Sequence, residues 1–423
     1  MNVLLLGNGA REHALAWKLS QSPLCTNLYI APGNPGTAQH GTNVPLPLND
    51  FQKIADFVRD TMIDLVVCGP EEPLVKGLED YLTDLQGFDK LMFVGPSSQG
   101  AMLEGSKAYA KEFMQRHNIP TAKYQQFNAS QYHQAVAFAE TFNGPIVIKA
   151  DGLAAGKGVV ICQTKEEARA TLDAMLNQKQ FGDASATVVI EEFLSGVEMS
   201  AFCITDGTHY LMLPTAKDYK RIGEGDTGPN TGGMGAVSPV PFATRDLLDK
   251  IEDFVVVPTV VGLKKENIRY RGFIYFGLMI VNNEPFVIEY NCRLGDPETQ
   301  VLVTRIENDL VELCTALFND GLDERQIVRR EGYAVGVVVA SDGYPNEIKK
   351  GLAITNTDEV DGLLFHAGTT TKDNNLVTNG GRVFTAVAEG STILEARDNA
   401  LTVAKQIRFD GKYFRKDIGF EFV

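Results

Sequence analysis

Short apolar runs punctuate the first hundred residues: NVLLLG (2–7), NLYIA (27–31), DLVVCGP (64–70) and KLMFVGP (90–96). Each ends at a glycine or proline turn, and helical stretches such as REHALAWKL (11–19) lie between them. Apolar runs alternating with helices predict a parallel sheet with crossover helices, where ligands gather at the strand C-termini. From GPSSQGAMLEGSKAYAKEFMQRHNIP (95–120) the pattern turns helical, and the helix is expected to end at Pro120. Between 121 and 200, PIVIKAD, GVVIC and ATVVIEEF read as strands with one helix, KEEARATLDAML, among them. GEGDTGPNTGGMG (223–235) is too rich in glycine for a packed element. Strands return at GFIYFGLMIV and PFVIEYN. The last hundred residues, with YAVGVVVAS, GRVFTAVAEG and an amphipathic helix at 392–407, read as a small α+β domain.

Composition narrows the partners. Of 423 residues 44% are apolar and 22% charged, an ordinary globular balance. The net charge of −15 repels nucleic acid and anionic lipid, so a bound polyanion needs a local basic pocket. Six cysteines (25, 68, 162, 203, 292, 314) without a C-x-x-C pair speak against disulfide staples and a zinc site, and fit a reducing cytoplasm. MNVLLLGNG reads as a strand with no basic leader before it, and no apolar run reaches 18 residues. A soluble cytoplasmic protein with no nucleic-acid or membrane partner is the expectation.

Candidate chemistry begins at LLGNGAREH (5–13), a strand, a glycine turn and a helix. Gly7 and Gly9 let backbone approach a phosphate at the helix N-terminus. A dinucleotide is disfavoured: Glu12 stands at the third glycine position, and no Asp or Glu follows until Asp50 to grip a ribose. A smaller phosphate ligand or a structural turn remains. CGPEEPL (68–74) puts Glu71 at another strand end, either facing the same crevice or in a polar loop. KADGLAAGKGVVI (149–161) is one residue short of a Walker loop and has Gly158 where the Mg²⁺-binding hydroxyl belongs. It joins two strands, so it is either a lid whose N–H groups close on phosphates or a long hairpin turn. Lys149 either snorkels or reaches an anion. Glu191, Glu192 and Glu198 surround Phe193 and Leu194, as in a solvated turn or an adenine-and-ribose edge. In FVIEYNCRLGDPETQ (286–300), strand periodicity puts Glu289, Asn291 and Arg293 on one face. Carboxylate and amide oxygens suit Mg²⁺, and the guanidinium can neutralise a transferring phosphoryl group.

These segments, with APGNPGTA, LEGSKAYAKEFM, IEEFLSGVE, DTGPNTGGMGAVSP, HAGT and TNGGRV, run in register over essentially the whole chain. Together they resemble the phosphoribosylamine–glycine ligase family of the ATP-grasp superfamily. The resemblance implies a multidomain α/β and α+β protein: a parallel-sheet domain at 1–100, an ATP-grasp domain at 101–325 with a lid at about 121–193, and a small α+β domain at 326–423. It implies ATP phosphates on Lys107 and Lys149, with Gly152, Gly156 and Gly158 in the closing loop. Glu191, Glu192, Phe193 and Leu194 would form the adenine hinge, and Glu198 would hold the ribose. Glu289 and Asn291 would ligate Mg²⁺ or Mn²⁺, and Arg293 would act on the transferring phosphoryl. Asn8, Gly9, Pro70 and Glu71 would hold 5-phosphoribosylamine, while Asp218, Asp296 and Glu298 would serve the glycine end. The implied enzyme, expected as a monomer, needs no covalent nucleophile; His13 and His366 are assigned local hydrogen bonds. Two positions depart from the family pattern: Tyr219 replaces a histidine, and Phe276 stands where a small residue is common.

Overall fold

The computed structural model describes residues 1–153, 158–357 and 360–423. Five parallel strands lie in the order Thr42–Asn43, Asn27–Pro32, Asn2–Gly7, Leu65–Cys68 and Met92–Pro96. Side chains alternate across this sheet: Leu4 and Leu6 pack towards Ile54 and Phe93, while Val3 and Leu5 pack towards Ala14 and Leu15. Both faces are therefore covered, as the uninterrupted apolar runs predicted.

The sheet does not stop with the N-terminal segment. Met92–Pro96 pairs antiparallel with Tyr270–Val281 at Gly95 and Pro96. Beyond it come Val197–Thr205 and Tyr210–Met212, with Glu284–Asn291 on the other edge of Tyr270–Val281. A separate four-stranded sheet, in the order Tyr124–Asn128, Thr187–Glu192, Ile146–Ala150 and Val159–Cys162, carries its own core of Phe127, Ile148, Leu172 and Ile190.

Two expectations are corrected. The helix predicted to reach Pro120 is two helices, Ser98–Gly105 and Lys107–Arg116. Ser106 breaks it in an extended conformation, accepting from Tyr109 N while its hydroxyl donates to Asp151 Oδ1 at 2.8 Å. The glycine-rich run is also more ordered than its composition suggests. Arg221–Gly223 and Thr227–Asn230 form a hairpin, and Gly235–Ser238 is a fully buried strand. Glycine suits that strand because a Cβ at Gly235 would sit 2.5 Å from Gly336 O.

Gly235–Ser238 and Lys217–Asp218 belong to the C-terminal sheet, in the order Lys217–Asp218, Gly235–Ser238, Tyr333–Ala340, Arg382–Gly390 and Leu363–His366. The helix Ile393–Gln406 packs on it through Ala396, Ala400 and Ala404. Among the described residues no helix is long and apolar enough to cross a membrane.

Candidate active site

The strand Glu284–Asn291 carries an irregularity that decides where its polar residues point. Gly277 pairs with Glu289 and the next residue, Leu278, with Val287, so Ile288 is an extra residue. Strict alternation would place Glu289 with buried Val287. The bulge turns it outward, and Glu289 is exposed while Tyr290 is buried. Gly277 makes room for it, since a Cβ there would lie 2.7 Å from Glu289 Cγ. Among the described residues no hydrogen bond or ion pair engages the Glu289 carboxylate.

Arg293 lies beyond the strand end rather than within it. Its Nη2 donates to Glu104 Oε1 at 2.7 Å, and its Nε is 3.4 Å from Glu71 Oε2. Glu104, which sequence reasoning missed, is buried at the end of Ser98–Gly105 and also accepts from Cys292 N at 2.8 Å. Burial pushes its carboxyl above the usual range, opposed by the Arg293 charge. The Asn291 amide satisfies its neighbours with nitrogen 3.0 Å from both Glu104 Oε1 and Tyr290 O. Among the described residues no three His, Cys, Asp or Glu side chains form a metal-binding group by themselves. The hard donors Glu289 and Asn291 fit a cation that draws its remaining ligands from water and phosphates.

The bulge has a second consequence. Lys149 Nζ donates to Ile288 O at 2.9 Å and pairs with Glu191 Oε1 at 2.9 Å. Lys111, also missed, holds the other oxygen of Glu191 at 3.0 Å and donates to Thr121 Oγ1 at 2.7 Å. The adenine-hinge assignment of Glu191 is thereby corrected. Its carboxylate faces inward between two lysines, and its backbone lies between Tyr124–Asn128 and Ile146–Ala150 in the ladder. Glu192 accepts from Lys123 N at 2.8 Å; Phe193 and Leu194 follow outside the strand, with Phe193 exposed.

Lys107 donates to Gly152 O at 3.2 Å, and burial followed by the nearby Lys149 charge lowers its pKa. Gly152 N donates to Ala184 O at 3.1 Å, while Gly158 O accepts from Ala150 N at 2.8 Å. Gly156 lies outside the described residues. Glu198 pairs with Lys220 at 2.6 Å, and that charge holds its carboxyl below the usual range. Burial raises both the Asp218 and the Glu298 carboxyls, and the Asp218 charge adds to the rise at Glu298. Ser200 Oγ reaches Tyr275 Oη at 3.0 Å beside them.

Asn8, Gly9 and Asp296 come together on a cavity of about 610 Å³, with Asn34, Thr369 and Arg382 on its other walls. Arg382 Nη2 is 3.4 Å from Asp296 Oδ2, and its Nη1 donates to Asp296 O and Gly232 O. Desolvation raises the half-buried Asp296 carboxyl, but Arg382 and Arg11 hold it below its usual range. At the helix N-terminus Gly9 N donates to Glu12 Oε2 at 2.7 Å, so this N–H is met by the chain's own carboxylate. Among the described residues lining the cavity the cation is Arg382, 373 residues after Gly9 in the chain. Pro70 and Glu71 sit apart from this cavity, on the Arg293 side.

His366 N donates to His13 Nδ1 at 2.7 Å, and burial keeps both rings neutral, His366 at about 4. Tyr219 Oη donates to Glu421 Oε2 at 2.8 Å, and its ring lies under Lys217 Nζ. Phe276 is buried against Tyr290 in the core.

Three family models match in order: the phosphoribosylglycinamide synthetase N domain over residues 1–104, its ATP-grasp (A) domain over 105–299 and its C domain over 334–421. The phosphoribosylamine–glycine ligase of Pasteurella multocida is 46% identical over 428 residues, covering 100% of this chain and 98% of that protein. The Escherichia coli O157:H7 enzyme of the same name is 47% identical, covering 99% and 98%. The crystal structure of phosphoribosylamine–glycine ligase from Thermotoga maritima superposes with a TM-score of 0.86 at 37% identity, covering 99% of this chain and 100% of that one. The segments that built the crevice and the Arg382 cavity thus fall inside one matched architecture, and the chain belongs to the phosphoribosylglycinamide synthetase family.

Proposed function

We propose that the chain ligates glycine to 5-phosphoribosylamine using ATP, through a glycyl phosphate, giving glycinamide ribonucleotide, ADP and phosphate. The observation that carries this reading is one cluster, in which Lys107 faces the charges of Lys149 and the outward Glu289 while Asn291 and Arg293 meet on Glu104, in a chain with full-length ligase relatives. Lys107 and Lys149 bind ATP phosphates, with Gly152 and Gly158 beside them. Glu192 to Leu194 border the adenine, and Glu198, tied to Lys220, takes the ribose. Glu289 and Asn291 would hold Mg²⁺ or Mn²⁺, whose charge would offset that of the phosphates.

Phosphoryl transfer to the glycine carboxylate gives an acyl phosphate with a good leaving group, and the amine then attacks its carbonyl carbon. Arg293 stabilises the charge on the transferring group. Asp218 and Glu298 receive the glycine end, Glu71 reaches the amine from the Arg293 side with Pro70, and Asn8, Gly9 and Asp296 line the phosphoribosyl pocket. Removing water from the closed crevice protects the acyl phosphate. A cytoplasmic monomer is the matching expectation.

ADP release with ATP, Mg²⁺, glycine and fresh phosphoribosylamine, each omitted in turn, tests the reading. Dependence on all four, with carboxyl ¹⁸O recovered in phosphate, is expected. Turnover with another acid or amine but not this pair would overturn the substrates. In the same assay Arg382→Ala is expected to raise the KM for phosphoribosylamine about 10- to 100-fold, the loss of one charge-assisted contact. An unchanged KM would remove Arg382 from the substrate pocket.

A further inference from the structure

The Glu104 carboxylate binds three consecutive residues at the end of the crevice strand. It accepts from Cys292 N through Oε2 at 2.8 Å, from Arg293 Nη2 through Oε1 at 2.7 Å, and from the Asn291 amide nitrogen through Oε1 at 3.0 Å. All three bonds need an acceptor. An ionised carboxylate is the one side chain of this length that accepts at both oxygens and donates at neither. Amide orientation follows from such neighbours, because the two ends of an amide differ only in what they donate or accept.

We propose that Glu104 is the positioning residue that selects which end of Asn291 faces the cation. With the amide nitrogen held on Glu104 and Tyr290 O, Oδ1 is turned to the opposite side, where it serves as a ligand. The same carboxylate holds Arg293, so the metal ligand and the phosphoryl-stabilising cation are set by one buried group. Outer groups of this kind change metal affinity by about 10- to 100-fold when removed. The inference rests on the metal role proposed for Glu289 and Asn291.

Glu104→Gln keeps the shape but introduces a donor. Its Nε2 must face either Cys292 N–H, where it meets another donor, or the Oε1 side, where it meets the Arg293 Nη2 donor and pulls Asn291 Oδ1 inward, turning the amide nitrogen to the cation. Mn²⁺ titration of the full-length protein with ADP present, followed by water-proton relaxation, reads the effect without turnover. Glu104→Gln is expected to weaken Mn²⁺ binding at least tenfold while leaving ADP affinity in EDTA within about twofold. The double variant Glu104→Gln with Asn291→Asp is expected to return Mn²⁺ affinity to within about threefold of wild type, because a carboxylate offers an oxygen in either orientation.

Wild-type Mn²⁺ affinity in Glu104→Gln overturns the proposal. So does a folded double variant that stays tenfold or more weaker, since loss of packing alone would not be repaired at Asn291. Where the single variant is too unstable to titrate, the double variant decides between these outcomes. Absence of Mn²⁺ binding to wild type would instead overturn the metal assignment beneath the inference.

Discussion

Arg293→Met is expected to lower ADP formation at saturating substrates by about 10³-fold or more, with far smaller changes in KM. A guanidinium acting on a transferring phosphoryl group is worth about 10³ to 10⁵ in rate, because it meets charge that develops only in the transition state. The structure gives this arginine little freedom to move: Glu104 holds Nη2, Leu294 O accepts from Nη1, and Nε is buried near Glu71. Lysine in its place keeps the charge but cannot span these partners, so Arg293→Lys should recover part of the rate only.

The same substitution carries a structural penalty with a distinct pH signature. It leaves Glu104 buried without its cation, which costs about 3–5 kcal/mol. Glu104 already has its folded-state pKa raised by burial, and Arg293 is the first counterweight. Without Arg293 the folded pKa rises further, so the folded variant binds its proton before the unfolded chain does. Its stability deficit is then largest above that pKa and shrinks as pH falls towards the ordinary carboxylate range. Urea unfolding at several pH values separates this loss from the catalytic one. Single-turnover rates within tenfold of wild type in a folded variant would sink the assignment.

What the sequence made legible, and what it hid, follows from the distance over which each feature is specified. The parallel strands were readable because each is a local apolar run closed by a glycine or proline. Glu289 and Asn291 were readable because an apolar strand has little local reason to carry hard oxygen donors. The bulge at Ile288 was not: it depends on register against Tyr270–Val281, and without it Glu289 would point into the core. Gly235 was read at the end of a glycine-rich run because the strand it opens finds its partner, Tyr333–Ala340, a hundred residues later in the chain. The glycine turn at Gly9 left a phosphate ligand or a structural turn open, and the contact that folding reveals is its N–H on Glu12.

The missed residues share one property. Glu104, Lys111 and Arg382 lie in segments whose motifs were visible, yet each is explained by partners far along the chain. Groups proposed to touch substrate carry chemistry that their own neighbourhood cannot use. The residues that hold them satisfy contacts visible only after folding.

A stability effect as large is expected at Glu191, whose two oxygens hold Lys111 and Lys149 at 3.0 and 2.9 Å. Glu191→Gln leaves two buried ammonium groups beside each other with only neutral acceptors, and should cost about 3–5 kcal/mol at pH 7. Lys111→Met should cost clearly less, because Glu191 and Lys149 remain a matched pair and the methionine fills the lysine stem's volume. The pH dependence follows from the shifts. Burial and Lys149 lower the folded-state pKa of Lys111 to about 8 from 10.5, against the pull of Glu191. Between those values the unfolded chain binds more protons, so this group's contribution makes stability rise with pH. Removing Glu191 deepens the depression, and Glu191→Gln should regain stability from a lower pH onwards. In acid the wild-type triad behaves oppositely: Glu191 is held below 4.5, and its contribution is lost as pH falls through that lower folded value. Urea midpoints for wild type and both variants at pH 7 and 9.5 test the ordering. Equal losses in the two variants, or a Glu191→Gln deficit that grows on going to pH 9.5, would show that the two lysines do not share this carboxylate. In the expected case, Glu191→Gln also raises the KM for ATP, because Lys149 loses its anionic partner and is aimed by neutral acceptors such as Ile288 O.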